Sequence, residues 1–253
     1  MRWQPAELIA DRLETDTART LTLRVPGWPG HLPGQHLDIR LTAPDGYRAE
    51  RSYSLAAPAR GDEIEVTIQR VPNGEVSGYL VDIFPIGALI EVRGPVGGWF
   101  VWDPEAGGPA TLVAGGSGIV PLAAMLRARR NSPNPSAFRL LYSLRTPDDL
   151  YYRDELTPLR ERAPFSSADQ DVDAPDEIEV FLAYTRLAPP GDQRAPGRLS
   201  AAEIARHALP PGPGTTCYVC GPTPFVEFAA IALVSAGHDP AAIRTERFGP
   251  TGS

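Results

Sequence analysis

The sequence predicts two domains of different class: an all-β antiparallel barrel of about six Greek-key strands over residues 1–104, then an α/β domain with a parallel sheet over 105–253. Two observations carry this. Before "WDPEAGGP" (102–109), short runs of Val, Ile, Leu and Thr alternate with Pro and Gly clusters, the texture of strands joined by tight turns. After it, uniformly apolar runs alternate with helix-like ones, the texture of strands covered on both faces. At 253 residues the chain is long enough to bury two cores.

In the first part, strands are expected at 19–25, 35–41, 51–56, 63–71 and 89–94. They are separated by "PGWPGHLPG", "APDGY", "ARGDE" and "FPIGA", with one helix at "EVSGYLVDI" (75–83). In the second part, strands are expected at "ATLVAGG" (110–116), "FRLLYSLR" (138–145), "EIEVFLAYTR" (177–186) and "TCYVCGP" (216–222). Helices are expected at 118–130, 150–162, 199–208 and 224–237, and 162–177 reads as a mobile loop.

Composition removes several function classes. A net charge of −7 argues against nucleic acid, which calls for a basic face. All 24 basic residues are Arg, so every lysine-dependent site is excluded, including a Walker-type phosphate loop and a Schiff-base lysine. The two Cys are too few for a disulfide framework or for the four thiolates of an iron–sulfur cluster. No apolar run reaches the ~18 residues of a membrane span, and the first residues lack a signal-length apolar stretch, so a cytoplasmic protein is expected.

"LVAGGSGIVP" places Gly115, Gly116 and Gly118 after an apolar strand and before a helix. Glycines there let a diphosphate approach the backbone and lie on the helix N-terminus; the bland alternative is a tight turn. Arg145 and Thr185–Arg186 end the next two strands, at the carboxyl edge where open α/β sheets bind ligands. Guanidinium with a neighbouring hydroxyl suits a 2′-phosphate, which favours NADPH over NADH, and Arg194 and Arg198 could close over the same group. Solvated loop arginines are the alternative. Cys217 and Cys220 have the Cys-x-x-Cys spacing, but none of the four His stands in ligand spacing with them and Cys217 lies inside a strand, so no metal is expected and the pair reads as coincidental.

"RSYSLA" (51–56), "NGEVSGYL" (73–80), "RGPVGGWF" (93–100), "GGSGIVP" (115–121), "YVCGP" (218–222) and "ERF" (246–248) resemble, in order and spacing, the motifs of the ferredoxin–NADP reductase family. The likeness extends to stand-alone bacterial FAD/NAD(P)-binding oxidoreductases related to oxygenase reductase modules. It implies a flavin-binding barrel followed by a nicotinamide-delivering domain. In that pattern Arg51 contacts the flavin phosphate, Tyr53 packs against the flavin, and Ser54 lies near ring nitrogen N5. Val76 and Ser77 match the segment that cradles the phosphates, which is usual in FAD-binding members, so FAD is expected rather than FMN. Cys220 matches the thiol that orients the nicotinamide, with Gly221 and Pro222 beside it. Glu246 and Phe248 match a carboxylate and an aromatic ring near the flavin.

The implied activity is hydride transfer from NAD(P)H to FAD, then single electrons to an acceptor. Ser54, Cys220 and Glu246 are the catalytic candidates. Two Cys cannot hold a cluster, so the acceptor is expected to be a separate protein such as a ferredoxin or oxygenase component, docking on an arginine patch of Arg40, Arg48 and Arg51. The alternative class is a non-catalytic flavin- or nucleotide-binding regulatory subunit of a redox complex.

Overall fold

The computed structural model describes residues 2–133, 136–162 and 178–248. Apart from Arg162, the loop expected to be mobile lies outside the described residues, as does the terminal "GPTGS". The chain divides into two compact units, Met1–Asp103 with Ala123–Ala128, and Pro104–Leu122 with Arg129–Ser253. Among the described residues no helix is long and apolar enough to cross a membrane.

The first unit contains β1 (Gln4–Thr15), β2 (Ala18–Arg24), β3 (His36–Thr42), β4 (Arg48–Ser54), β5 (Glu63–Gln69), α1 (Glu75–Asp82) and β6 (Leu89–Val96). The strands pair in the order β4-β3-β6-β1-β2-β5, all antiparallel. The connections from β2 to β3 and from β5 to β6 each pass over neighbours, as a Greek key requires. The sheet curls until its edges meet at one bridge, Leu55 with Val66, so it is barrel-like without a full closing ladder. Period-2 alternation supplies the core: Leu21 faces Val66 and Leu23 faces Ile64, and these join Leu37, Ile39 and Ile68 in one buried cluster. Burying each such side chain contributes about 1.5–3 kcal/mol.

β1 has no counterpart among the strands expected from the sequence. Only Ala6 and Leu8 in it are buried, Pro5 and six charged or polar positions dilute the pattern, and two register shifts break the alternation. It is nevertheless central, pairing with β2 over Glu7–Thr15 and with β6 over Gln4–Glu7.

The second unit contains β7 (Ala110–Gly115), the two ends of α2 (Ile119–Arg130, whose Ala123–Ala128 stretch is counted with the first unit), β8 (Phe138–Leu144), α3 (Arg153–Arg162), β9 (Ile178–Tyr184), α4 (Ala201–His207), β10 (Thr216–Pro222), α5 (Thr223–Ser235) and β11 (Ile243–Phe248). The order is β11-β10-β7-β8-β9 and every pairing is parallel. Every residue of β7 and β8 is buried, which is why these strands read as largely apolar runs, broken only by Thr111, Arg139 and Ser143. The chain runs outward from β7 to β9, then returns to the far side of β7 with β10. That reversal makes a crevice between the carboxyl ends of β7 and β10, where such sheets bind ligands. β11 is also additional to the expected strands; as an edge strand it buries only Ile243 and has almost no pattern.

Candidate active site

In the first unit, β4 carries the Arg-x-Tyr-Ser segment. Arg51 and Tyr53 are two residues apart and share a strand face, opposite Ile39 and Leu37. Arg51 is exposed, its Nη1 donating to the Glu50 carbonyl at 2.6 Å, so the guanidinium presents further donors outward. Tyr53 is half-buried against the barrel core, and burial raises its hydroxyl pKa despite the neighbouring Arg51 charge. Ser54, which ends the strand, is 4% exposed, and its Oγ is buried with no hydrogen-bond partner among the described residues. An unpaired buried hydroxyl costs about 1–3 kcal/mol, a cost that a ligand acceptor or donor at this atom would remove.

The turn into α1 places the N–H groups of Glu75, Val76 and Ser77 at a helix start, where no intrahelical acceptor exists for them. Val76 is 2% exposed with its side chain in the core, so only its backbone can serve a phosphate. The Ser77 hydroxyl accepts from Val71 N at 3.1 Å and donates to Gly74 O at 3.4 Å, closing the turn. Gly74 is required there, because a Cβ would sit 2.4 Å from Ser77 Oγ. Sequence reasoning did not single out Gly74, although it stands inside "NGEVSGYL".

The arginines of the expected docking patch differ in how far the fold engages them. Arg40 grips Glu91 with two hydrogen bonds of 2.9 and 2.6 Å, and its guanidinium lies 4.2 Å from the Trp3 ring centre. Its donors serve the sheet, while Arg48 and Arg51 remain exposed.

In the second unit, β7 ends at Gly115, a single 3₁₀ turn spans Gly116–Gly118, and α2 follows. The three glycines have different reasons. A Cβ on Gly118 would lie 2.1 Å from the Cys220 carbonyl oxygen, and one on Gly115 would strike the Phe225 ring at 2.7 Å. These two pack the turn against β10 and α5. Gly116 has φ +55 and nothing within 4 Å of a would-be Cβ, so its backbone faces open space that a diphosphate could enter. Phe225, which no sequence signal marked beyond its place in "CGPTPF", is the floor under Gly115 and Gly221.

Across the crevice, Cys220, Gly221 and Pro222 end β10 in register with Glu246, Arg247 and Phe248 of β11. Cys220 is 0% exposed; burial, reinforced by Glu246 and only partly opposed by the Gly221 N–H, pushes its thiol well up. It is a neutral S–H that can pack or donate but is no nucleophile. Glu246 beside it is half-buried, and burial raises its carboxyl to about 7. This carboxyl can therefore hold or release a proton near neutrality. Phe248 is half-buried opposite Pro222. Cys217 lies deeper in β10, with Sγ 3.3 Å from His238 Nδ1.

Backbone pairing brings the expected coenzyme arms together. Thr185 N donates to Leu144 O at 2.8 Å and Arg186 N to Arg145 O at 2.9 Å, so the ends of β8 and β9 continue side by side. Arg145 and Arg186 are exposed and Thr185 is half-buried. The Arg194 guanidinium is engaged within the chain by Tyr184 O, Ala195 O, Gly197 O, Arg198 O and both Glu203 carboxylate oxygens. Burial alone would raise the Glu203 carboxyl, but hydrogen bonds from Arg194 and Ser200 hold it at about 2.

Residues 6–101 match the family model "Oxidoreductase FAD-binding domain" and residues 112–230 match "Oxidoreductase NAD-binding domain". Among curated proteins, the chain is 30% identical over 232 residues to "Propane 2-monooxygenase, reductase component" of Mycolicibacterium smegmatis, covering 87% of this chain and 61% of that one. It is 30% identical over 210 residues to "NADH-cytochrome b5 reductase 1" of Lodderomyces elongisporus, covering 82% and 65%. The chain spans about half to two thirds of the length of the curated relatives it matches. Among solved structures, the "Ferredoxin reductase in carbazole 1,9a-dioxygenase" superposes with a TM-score of 0.76 at 26% identity, covering 98% of this chain and 69% of that one. With a barrel-like sheet matched by the one domain family and a parallel sheet matched by the other, the chain belongs to the ferredoxin reductase-like family.

Proposed function

We propose that this chain is an NAD(P)H-dependent flavin oxidoreductase that takes hydride from NADPH in preference to NADH and passes single electrons to a separate protein. The observation that carries the flavin reading is the buried, unpartnered Ser54 hydroxyl, set beside Arg51 and Tyr53 in the first unit. Bound FAD would supply the conversion of a two-electron donor into one-electron deliveries.

The chain's own residues hold and tune it. Arg51 neutralises a phosphate with its outward N–H donors. The backbone N–H groups at the start of α1 hold further phosphate oxygens, aided by the helix dipole, while the Tyr53 ring offers a rigid apolar surface to the flavin. Ser54 Oγ–H meets a ring heteroatom. In the second unit, the open backbone at Gly116 takes the nucleotide diphosphate, and the Gly221–Pro222 end of β10 borders the same crevice. Cys220 orients the nicotinamide as a neutral thiol, and Glu246 carries the proton that accompanies electron transfer. Phe248 offers a ring without a hydroxyl, which permits stacking but no hydrogen bond.

The NADPH preference rests on Arg145, Thr185 and Arg186 at the sheet's carboxyl edge, positions where an NADH-selective chain would be expected to carry a carboxylate. A relative named for NADH makes this a property to measure on this chain. The names of the relatives, reductase components of oxygenase systems among them, support an oxygenase component or ferredoxin as acceptor. Each charge-assisted contact to a 2′-phosphate contributes about 1.5 kcal/mol when solvent-exposed, or roughly tenfold in affinity. The test is anaerobic reduction of the yellow protein by each coenzyme, with Arg186→Ala beside it. NADPH should win in kcat/KM and the substitution should erase most of the preference. No bleaching by either coenzyme would sink the enzyme reading. Bleaching that favours NADH would sink only the coenzyme preference.

A further inference from the structure

The segment between β9 and α4 carries the residues expected to select the coenzyme, and one side chain holds it shut. Residues 185–197 leave the sheet at Tyr184 and return to it, since Gly197 N donates to Tyr184 O at 2.9 Å. At that neck lies Arg194, only 17% exposed in its side chain. Its Nη1 donates to Tyr184 O and Gly197 O at 3.1 Å each, tying the exit of the arm to its return. Its Nη2 donates to Arg198 O at 3.1 Å. Nε and Nη2 fork onto Glu203 at 2.5 and 3.2 Å. Glu203 in turn is fixed by the first turn of α4, accepting from Ser200 N and Ser200 Oγ at 2.8 Å each. The tip of the arm is tied to α3 as well: Asp192 accepts from Arg160 Nη2 at 2.9 Å and from Arg194 N at 3.0 Å.

We propose that Arg194 is the positioning residue of this arm: by locking its neck to α4 through Glu203, it holds Thr185 and Arg186 where they choose between coenzymes, without touching the coenzyme itself. The proposal rests on the coenzyme reading above, but it makes a separate claim. Planar guanidinium geometry is essential, because one group must reach four carbonyls, that of Ala195 included, and a carboxylate at once. A lysine ammonium can satisfy at most a part of that set. Without the lock, the arm samples many conformations, and the competent one is taxed by its reduced population, which raises the apparent KM for the coenzyme that depends on Arg186.

The test compares kcat and KM for NADPH and NADH, with ferricyanide as acceptor, in Arg194→Ala, Arg194→Lys, Glu203→Gln, Arg186→Ala and the Arg194→Ala/Arg186→Ala double variant. Flavin content and melting temperature monitor folding, and Glu203→Gln carries the test should Arg194→Ala not fold. Arg194→Ala should lower the NADPH-to-NADH ratio of kcat/KM about tenfold through KM for NADPH, with kcat kept. Arg194→Lys should fail to restore it, Glu203→Gln should fall between, and the double variant should be no worse than Arg186→Ala. Additive losses in the double variant would mean that Arg194 binds the coenzyme directly and would overturn the proposal. So would an unchanged ratio in Arg194→Ala where Arg186→Ala collapses it, while leaving the coenzyme reading intact. If Arg186→Ala itself leaves the ratio alone, the coenzyme reading fails. Amide hydrogen exchange then decides the lock: faster exchange at Thr185, Arg186 and Gly197 in Arg194→Ala retains it, and unchanged exchange removes it.

Discussion

Ser54→Ala should change stability with opposite signs in flavin-free and flavin-loaded protein. In the chain alone, Ser54 Oγ is buried, 4% exposed as a residue, and unpartnered, a state that costs about 1–3 kcal/mol. Alanine removes the hydroxyl but keeps the Cβ, so the void left is one oxygen wide and takes back part of the gain. A net stabilisation of about 1 kcal/mol follows for flavin-free protein, which raises the melting temperature by roughly 2–4 °C in a chain of this size. With flavin bound, the wild-type hydroxyl is satisfied and the variant lacks one neutral hydrogen bond, a loss of about 0.5–1.5 kcal/mol. That corresponds to roughly two- to twelvefold slower reduction or weaker binding. Thermal unfolding with and without FAD, and stopped-flow reduction by NADPH, read both. If Ser54→Ala destabilises the flavin-free protein, the hydroxyl has a partner within the chain and the reasoning fails.

Arg51→Ala should yield folded protein with FAD affinity about 10- to 100-fold weaker, since a charge-assisted phosphate contact is lost from an exposed side chain that packs nothing; full flavin occupancy after dialysis would remove Arg51 from the site. Glu246 has its carboxyl raised by burial from 4.5 to about 7, so between those pH values the folded chain holds a proton that the unfolded chain has released. Stability therefore falls as pH rises through that window, by on the order of 2 kcal/mol, and Glu246→Gln should flatten this limb in urea unfolding across the same range. An equally steep limb in the variant would assign the titration elsewhere. Gly118→Ala should destabilise the second unit by about 3 kcal/mol, because its Cβ meets Cys220 backbone at 2.1 Å. Gly116→Ala, with open space around it, should lose only about 1 kcal/mol to its positive φ yet weaken NAD(P)H binding; the reverse ranking in denaturant midpoints would contradict the assigned packing.

How much of this was legible in the sequence varies by element. β5, β7, β8 and β10 were readable because burial imposed a pattern: alternate apolar residues where one face is covered, continuous ones where both are. β1 and β11 were not, although one is central and the other completes the sheet. Their places are set by backbone pairing with neighbours distant in sequence, Glu7 with Leu89 and Cys220 with Glu246, and hydrogen bonds of that kind leave no mark on side-chain choice.

The site divides along the same line. Residue types could be read from motifs: an arginine at 51 as the phosphate candidate, glycines for a close turn at 115, 116 and 118, a carboxylate at 246. What the sequence by itself determined, then, is which chemical groups the chain owns and the order in which they come. Only the tertiary structure decided which of those groups are already occupied. Arg40, Arg194 and Ser77 carry the same donors as Arg48, Arg186 and Ser54, yet Glu91, Glu203 and the Val71 amide hold the first three within the fold. The reason is physical: a donor's availability depends on what lies within about 3 Å of it, and chain folding, through pairs separated by 51, 9 and 6 residues, sets that distance.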